Sequence, residues 1–556
     1  MKKRFNVNGS CNKEKHYMVD LSSRLDEVRR MVDNGDYFVI NRARQYGKTT
    51  ILRALSVCLQ DMYRVIFIDF QRMSTEDYAD EYAFSTAFGD SVYKFFSVRG
   101  KLAEKDIAFG LEQMKNAMQE KSFRLRGLFD SLNALCKASC KRVVLLIDEV
   151  DSAVNNQVFL DFLAQLRSYY LEREEVSTFY SVILAGVYDI CRKEGPIADG
   201  RIPYDLRAHQ RTTSAIKNMK LKIRPDAEHR YNSPWNIAAD FNVDMDFNSR
   251  EIEGMLQEYE KDCQTGMDTD LIAGLIYDYT SGYPYLVSRL CQIIDEGVAV
   301  TDRNPGAVSW TREGILDAVK ALLKESSTLF DDIRKKLDDF PELRKCISGL
   351  LFDGSKIPYS RYNYILDVGI MFGFLKEDQG TVVVANRVFE MFFYNLFISE
   401  QALGSLTYQT GETDKKQFVQ DGELNMELVL RKFTEHFTDV YGDNDQKFVE
   451  ENGRRIFLLY LKPIINGVGN YYVEAQTRDR KRTDVIVDYR GKQYIIELKI
   501  WYGEEYNRRG KEQLSSYLEY YHMDKGYLVS FCFNKSKVVG VRALLYGGKT
   551  IVEAVV

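Results

Sequence analysis

The sequence predicts an α/β protein of several domains, and three observations carry that prediction. Its 556 residues exceed what one core organises and suggest three or four domains. Short apolar runs without alternation (Tyr37–Ile40, Val65–Ile68, Val143–Ile147 and Ser181–Val187) are separated by stretches of helical periodicity. Strands of that kind are buried on both faces, the pattern of a parallel sheet covered by helices. Beyond a polar stretch near residue 410, a helix, strands, a further helix and more strands follow.

Composition limits what the chain does. A hydrophobic fraction of 45% with 28% charged residues is that of an ordinary globular protein. A net charge of −5 rules out a polybasic nucleic-acid binder, so any such contact has to be a local patch. The nine cysteines are scattered; Cys136 and Cys140 form the one close pair, spaced for one helix face, and no second Cys/His pair completes a zinc site. Reduced, mostly buried thiols are expected, which points to a cytosol. The start Met1-Lys2-Lys3-Arg4-Phe5 has no apolar run behind it, and Val143–Ile147 is far too short to span a bilayer. A cytoplasmic protein with no membrane partner is the expectation.

Taken in order, Ser22–Val32 reads as an amphipathic helix carrying Leu25, Val28 and Val32, with a capping box from Ser23 and Asp26 and a stop at Gly35. Tyr37–Ile40 is a strand, a polar turn follows, and a helix runs from about Lys48 to Gln60. Arg64–Phe70 is the next strand. Helical periodicity dominates from Tyr78 to Ala138, then come the strands Val143–Ile147 and Ser181–Val187. Cys191–Ser214 is a loop or insertion. Asp244–Leu323 is helical. Arg334–Leu396 holds helices and then a β-hairpin around Asp378-Gln379-Gly380, the layout of a winged helix. Gly404–Lys416 is polar and reads as a linker. The expected divisions are residues 1–240, 241–325, 326–402, a linker at 403–424, and 425–556.

Two constellations carry chemistry. The first is Asn41-Arg42-Ala43-Arg44-Gln45-Tyr46-Gly47-Lys48-Thr49-Thr50, between a strand and a helix. A P-loop needs that setting: backbone N–H groups and a helix N-terminus cradle phosphates, a Lys reaches the β/γ oxygens, and a hydroxyl holds Mg²⁺. Gly47, Lys48, Thr49 and Thr50 are the candidate nucleotide-binding residues. Arg42 stands where a P-loop usually has its first Gly. The partner element is Val143–Ile147 running into Asp148 and Glu149. Asp148 joins Thr49 in the Mg²⁺ shell, and Glu149 orients or deprotonates the attacking water. The competing readings are a helix start with a surface Lys and a solvated strand end. Finding both elements, in this order, favours the nucleotide site.

The segments Asn41–Thr50, Leu145–Asp151, Ser181–Asp189 and Tyr231–Asp240 together resemble the AAA-ATPase-like family of bacterial and archaeal proteins. The resemblance covers roughly the first three hundred residues. It implies a P-loop ATPase domain over 1–240, a helical lid over 241–325 and a winged helix over 326–402. Loops of that family are commonly Arg-rich before Gly-Lys-Ser/Thr, as here. Thr280-Ser281-Gly282-Tyr283-Pro284 is similar to the lid-helix motif of related signalling ATPases. Ala185-Gly186-Val187 offers no polar sensor residue, and Arg224 reads as a surface residue rather than a phosphate contact. The family often precedes a nuclease-like domain, and ATPases of this broad type often take an Arg from a neighbouring copy, which implies a homo-oligomer.

The second constellation is Asp484 in Arg482–Asp488 with Glu497 and Lys499 in Tyr494–Lys499. A turn at Asp488–Gly491 makes these strands a hairpin, so Asp484 and Glu497 meet across it. Alternation puts Glu497 and Lys499 on one face. Two carboxylates beside a Lys hold Mg²⁺ or Mn²⁺, the metal activates a water, and the Lys steadies developing charge. The competing reading is an exposed hairpin with alternating charges. Against it, Ile486, Val487, Ile495 and Ile496 are buried-strand residues, and burying an unpaired charge is costly. The spacing resembles the PD-(D/E)XK nuclease superfamily, over Asn425 to the C-terminus. That resemblance implies Glu451 as an accessory metal ligand (Glu450 is the alternative) and Gln513, with Tyr517, on the helix after the core strands. Arg478, Arg480, Lys481, Arg482, Arg508, Arg509 and Lys511 form a basic set able to meet phosphates, though such runs are usually solvated faces. Tyr471 and Tyr472 suit stacking on bases, with core packing the stronger reading.

These readings lead to an ATP-binding and hydrolysing protein coupled to a Mg²⁺-dependent nuclease acting on nucleic acid, with DNA preferred. The alternatives are an ATP-dependent switch whose nuclease-like domain binds without cutting, and a scaffold in which neither site works.

Overall fold

The computed structural model describes residues 3–98, 105–154, 156–187, 235–297, 310–352, 355–402, 404–420, 422–441, 450–466, 469–476, 482–490, 492–501, 503–534 and 537–556. The chain forms two compact units. The first contains Met1–Tyr277, Gly282–Ile315 and Met371–Gly373; the second contains Asp278–Ser281, Leu316–Ile370 and Phe374–Val556. Cys191–Ser214 and Arg224 lie outside the described residues.

The first unit is built on four parallel strands in the order Tyr37–Asn41, Ser181–Gly186, Val143–Asp148, Arg64–Asp69. The strand Val143–Asp148 is buried at every position, as its unbroken apolar run requires. Asn41 pairs with Gly186 and Asp69 with Asp148, so the strand ends share one edge. Ala239 adds a parallel bridge to Phe38 on the outer side. The helical stretch before Val143 resolves into Glu81–Val98, Lys105–Ala117 and Leu125–Ala138. Their apolar faces join the helix Gln157–Leu171 in a core rich in aromatic rings, Phe70, Phe84, Phe88, Phe129 and Phe162 among them. Leu125–Ala138 ends before Cys140, which is exposed, so Cys136 and Cys140 do not share a helix face. All the described cysteines are free, but only Cys291 and Cys532 are buried.

The helix Ser22–Asp33 forms without the capping box expected of Ser23 and Asp26. The helix begins at Ser22 as expected, but its N-cap is Leu21, two residues before Ser23, which places Ser23 in the first turn. The Asp20 carboxylate instead accepts from the Ser22 N–H at 3.1 Å. A capping box does form further on, where Asn248 and Glu251 exchange bonds at the start of the helix Ser249–Cys263. The helices Thr269–Thr280 and Pro284–Asp295 follow.

In the second unit, the helices Thr328–Asp339 and Pro341–Phe352 precede the hairpin Leu375–Asp378/Thr381–Val384. Its two-residue turn, Gln379-Gly380, has positive φ at both positions, the geometry a tight hairpin needs. The stretch 403–424, expected as a linker, is instead built into the unit. It holds the helix Leu406–Asp414, a short hairpin Val419–Gln420/Glu423–Leu424, and the buried Thr407 and Phe418. Polar composition hid this, because the packing runs through Gly411. A Cβ there would stand 2.2 Å from the Tyr460 carbonyl oxygen, so only Gly lets the two backbones meet.

Six strands follow, in the order Gly469–Gln476, Arg482–Tyr489, Lys492–Ile500, Lys525–Phe531, Lys549–Val555, Gly540–Tyr546. The strands Lys492–Ile500, Lys525–Phe531 and Lys549–Val555 are parallel; the others are antiparallel. The helix Glu504–Tyr520 makes the crossover that a parallel pair requires. Leu514 and Leu518 of that helix pack over Gly526, while Phe433, Phe437 and Gly453 of the helices Met426–Tyr441 and Glu450–Ile465 meet Phe531. Residues 526 and 531 differ in parity, so the sheet is covered on both faces. Among the described residues no helix is long and apolar enough to cross a membrane.

Candidate functional site

The first candidate site lies where the strand ends converge. The strand Tyr37–Asn41 runs through the loop 42–47 into the helix Lys48–Cys58. Gly47 caps that helix at φ +77°, and Gln45 also lies in the left-handed region at φ +58°. Among the described residues nothing stands within 4 Å of where a Gly47 Cβ would be. Lys48 is buried, and its ammonium donates to the carbonyls of Arg42 at 2.8 Å and Ala43 at 3.0 Å. Burial pushes its pKa down, opposed by the charges of Asp151, Glu149 and Asp148.

Asp148 is buried at the tip of its strand and accepts from the Glu149 N–H at 3.0 Å, with the Thr49 hydroxyl also favouring its charged form. Burial raises its pKa, against the pull of those groups. Glu149 sits at φ +56°, and burial followed by the Asp148 charge raises its pKa too. The structure therefore brings together Gly47, Lys48, Thr49, Asp148 and Glu149. Thr50 is engaged elsewhere, its hydroxyl accepting from the Cys11 N–H at 3.1 Å.

Arg42, in the place of the expected Gly, belongs to the packing. Its guanidinium donates to the Val243 carbonyl at 3.0 Å and lies over the Phe241 ring at 5.2 Å. The loop is also held from the helices that follow. The Tyr46 hydroxyl donates to Asp246 at 2.6 Å, the Tyr283 hydroxyl donates to the Arg44 carbonyl at 2.6 Å, and the two rings meet edge-on at 4.5 Å. Gly373, at φ +71°, lies against the same place; a Cβ there would stand 3.1 Å from Ala43 and 3.6 Å from each tyrosine ring.

Sequence reading missed two acids here. Asp69 pairs in register with Asp148, and its signal was the same apolar run ending in acid. Asp151 accepts from the Val187 N–H at 2.7 and 2.9 Å, tying the strand with no polar sensor to the acid-tipped one. A Cβ on Gly186 would come within 2.8 Å of that carboxylate.

The raised pKa values have a stability consequence. A carboxyl whose folded pKa lies above its unfolded one contributes stability below the unfolded pKa and loses it as pH rises through the folded pKa. Without nucleotide or metal, Asp148→Asn is therefore expected to melt higher than the wild type at pH 7, with the gap closing as pH falls toward the ordinary Asp value of 3.8. Scanning fluorimetry across pH checks this. A variant less stable than wild type at pH 7 contradicts the sign.

The second candidate site lies in the second unit. Glu497 is 0% exposed, and the Lys499 ammonium stands 3.1 Å from its Oε1. The two share a face, as alternation requires. The hairpin register runs from Tyr489–Lys492 to Val485–Ile496, so positions 484 and 497 lie just past its last pair. The side chains of Asp484 and Glu451 lie outside the described residues. The backbone of Glu451 is in the first turn of Glu450–Ile465. The helix Glu504–Tyr520 closes on Lys499 at Gly510, where a Cβ would stand 3.3 Å from Lys499 Cγ. On that helix the Gln513 amide donates to the Tyr517 hydroxyl at 2.8 Å. Ser530 is the register neighbour of Lys499; its hydroxyl is buried and finds no hydrogen-bond partner among the described residues. Tyr471 is buried in the sheet, as core packing requires. Arg478, Arg480 and Lys481 lie outside the described residues, as do the side chains of Tyr472 and Arg482. Among the described residues no group of three His, Cys, Asp or Glu is placed to hold a metal ion.

No protein-family model matches the chain, and no curated protein matches it. Among solved structures it is similar to a Walker-type ATPase of Pyrococcus abyssi, at 15% identity over 70% of this chain and 99% of that one, with a TM-score of 0.45. It is also similar to the ORC2 protein of Aeropyrum pernix, at 12% identity over 71% and 97%, with a TM-score of 0.33. The RuvB Holliday junction branch migration motor of Thermotoga maritima gives 12% over 68% and 96%, with a TM-score of 0.30. Likenesses at these scores leave function to be argued from the residues.

Proposed function

We propose that the chain binds and hydrolyses ATP in its first unit and that the C-terminal part of its second unit, 425–556, is a metal-dependent nuclease of PD-(D/E)XK type acting on nucleic acid, with DNA the preferred substrate. The observation that carries the ATPase reading is the buried Lys48 ammonium bonded to the carbonyls of its own loop and facing the charges of Asp148, Glu149 and Asp151. A buried ammonium with no carboxylate at hydrogen-bond distance among the described residues is poised to exchange two carbonyls for phosphate oxygens. The N–H groups at the start of Lys48–Cys58 meet the same phosphates. Thr49 and Asp148 suit a Mg²⁺ ion, an oxygen-bound cation that would neutralise charge on the β- and γ-phosphates. Glu149, its pKa raised by burial, is the water-orienting base. The helices within 241–325 act as a lid through the Tyr46–Tyr283 contact. Residues 326–402 act as a winged helix, a reading supported by helices ahead of a hairpin whose strand Thr381–Val384 is bridged by Pro358. A second copy of the chain is the proposed oligomeric partner.

In the second unit, the oxygen-only set Asp484, Glu497 and Glu451 suits Mg²⁺ or Mn²⁺, which would lower the pKa of a bound water for attack on phosphorus. Lys499 supplies positive charge to the reacting phosphate, and Gln513 orients it. The buried Glu497–Lys499 pair supports this reading: such a pair is costly unless function retains it. The test is a cleavage assay on labelled DNA and RNA with Mg²⁺ or Mn²⁺, with and without ATP, comparing wild type with Asp484→Ala. Cleavage by wild type alone is the expected result. Cleavage by neither, from protein that binds ATP, replaces the nuclease reading with that of a nucleotide-controlled binding domain.

A further inference from the structure

The structure sorts the basic set around the helix Glu504–Tyr520. Arg508 pairs with Glu512 and Arg509 with Glu505 on the exposed face, at helical spacing. Lys511 turns inward. Its ammonium stands 3.3 Å from Glu553, a carboxylate 0% exposed on the strand Lys549–Val555. Arg542 of the edge strand, opposite Glu553 in register, donates to the same oxygen through Nε at 3.1 Å and Nη2 at 2.9 Å. The Asn507 amide donates to the other carboxylate oxygen at 2.6 Å.

One buried carboxylate thus fixes two cations, and the cluster keeps a net positive charge. Arg542 is 64% exposed although its guanidinium is tied down from within. A long side chain held on a surface has already lost much of its rotamer freedom, so an anion meets a preset fork. Asn507 Oδ1 is buried with no hydrogen-bond partner among the described residues, so the cluster is not fully satisfied as it stands. Position matters as well. Glu497 and Glu553 both pair with Leu528, so they lie in one row on one face, two strands apart. At about 4.8 Å per strand that is about 10 Å, the length of about three nucleotide steps at 3.4 Å each.

We propose that Lys511 and Arg542, set by Glu553, form a phosphate-binding seat for a nucleic-acid strand, about three nucleotides from the Glu497–Lys499 site. This rests on the nuclease reading of the domain. The seat carries no sequence information; it fixes where the strand lies over the cutting site.

The test is salt-dependent binding of the full-length protein to a fluorescein-labelled 30-nucleotide DNA strand, in EDTA so that nothing is cut. Arg542→Gln and Lys511→Gln are each expected to weaken binding and to lower the slope of log affinity against log salt by about 0.7, the loss of one phosphate contact on a single strand. Glu553→Gln keeps both cations and is expected to keep the slope even where it lowers the melting temperature. Wild-type slopes in both cation variants overturn the seat and leave these cations as neutralisers of Glu553. Failure of the wild type to bind at low salt overturns the seat and the nuclease reading together. Melting curves on every variant separate lost contacts from lost fold, because a fold defect alone lowers the active fraction without changing the slope.

Discussion

Lys499→Ala is expected to reduce metal-dependent strand cleavage by about 10²–10³-fold in kcat, the usual loss when one group stabilising a charged transition state is removed. ATP binding should be unchanged, since Lys499 lies in the other unit. Glu497→Gln is the sharper variant. It keeps the shape of a fully buried side chain but removes the charge that faces Lys499 and, on the proposed reading, the metal. Cleavage should fall to background, with no recovery at higher Mn²⁺ if Glu497 is a direct ligand. The assay is the release of labelled fragments from DNA and RNA, with calorimetric ATP binding as the control for fold. Wild-type cleavage by either variant would remove the catalytic assignment. A loss of cleavage accompanied by a loss of ATP binding would point to misfolding instead.

The second large effect is expected at Lys48. Charge-assisted hydrogen bonds contribute about 1.5–3 kcal/mol each. Lys48→Ala should therefore weaken ATP·Mg²⁺ binding by at least about 10- to 100-fold and bring hydrolysis to background. Calorimetry and phosphate release measure the two. The variant also leaves the Arg42 and Ala43 carbonyls without their donor, so its melting temperature has to be compared with wild type. Unchanged affinity in a well-folded variant would mean that phosphates do not bind at this loop.

The parallel strands were legible because a strand buried on both faces cannot alternate, and the runs before Asp69 and Asp148 do not. Lys48, Thr49, Asp148 and Glu149 were legible for the same reason, since local sequence alone fixes their place at strand and helix ends. Glu497 and Lys499 were legible from a two-residue period. What escaped depends on partners far along the chain. Thr50 is engaged by Cys11, Asp151 by Val187, and Glu553 by Asn507, Lys511 and Arg542. No local pattern encodes those meetings; sheet order and register do. The stretch around Gly411 escaped because its residues are polar and its packing is backbone to backbone. The capping box at Ser23 failed because the helix is capped two residues earlier, at Leu21, a shift that local sequence does not fix.

Gly373 has a consequence for biosynthesis. The first unit recruits Met371–Gly373 from beyond a long stretch that belongs to the second unit. A ribosome releasing about 5–20 residues per second therefore presents the loop 42–47 and Tyr283 several seconds before Gly373 emerges. Through that interval Ala43 and the two tyrosine rings lack the backbone that closes over them. The first unit is therefore finished only after more than fifty residues of the second have been made, and a nascent chain stopped after Ile315 carries a loop at 42–47 still missing one of its walls.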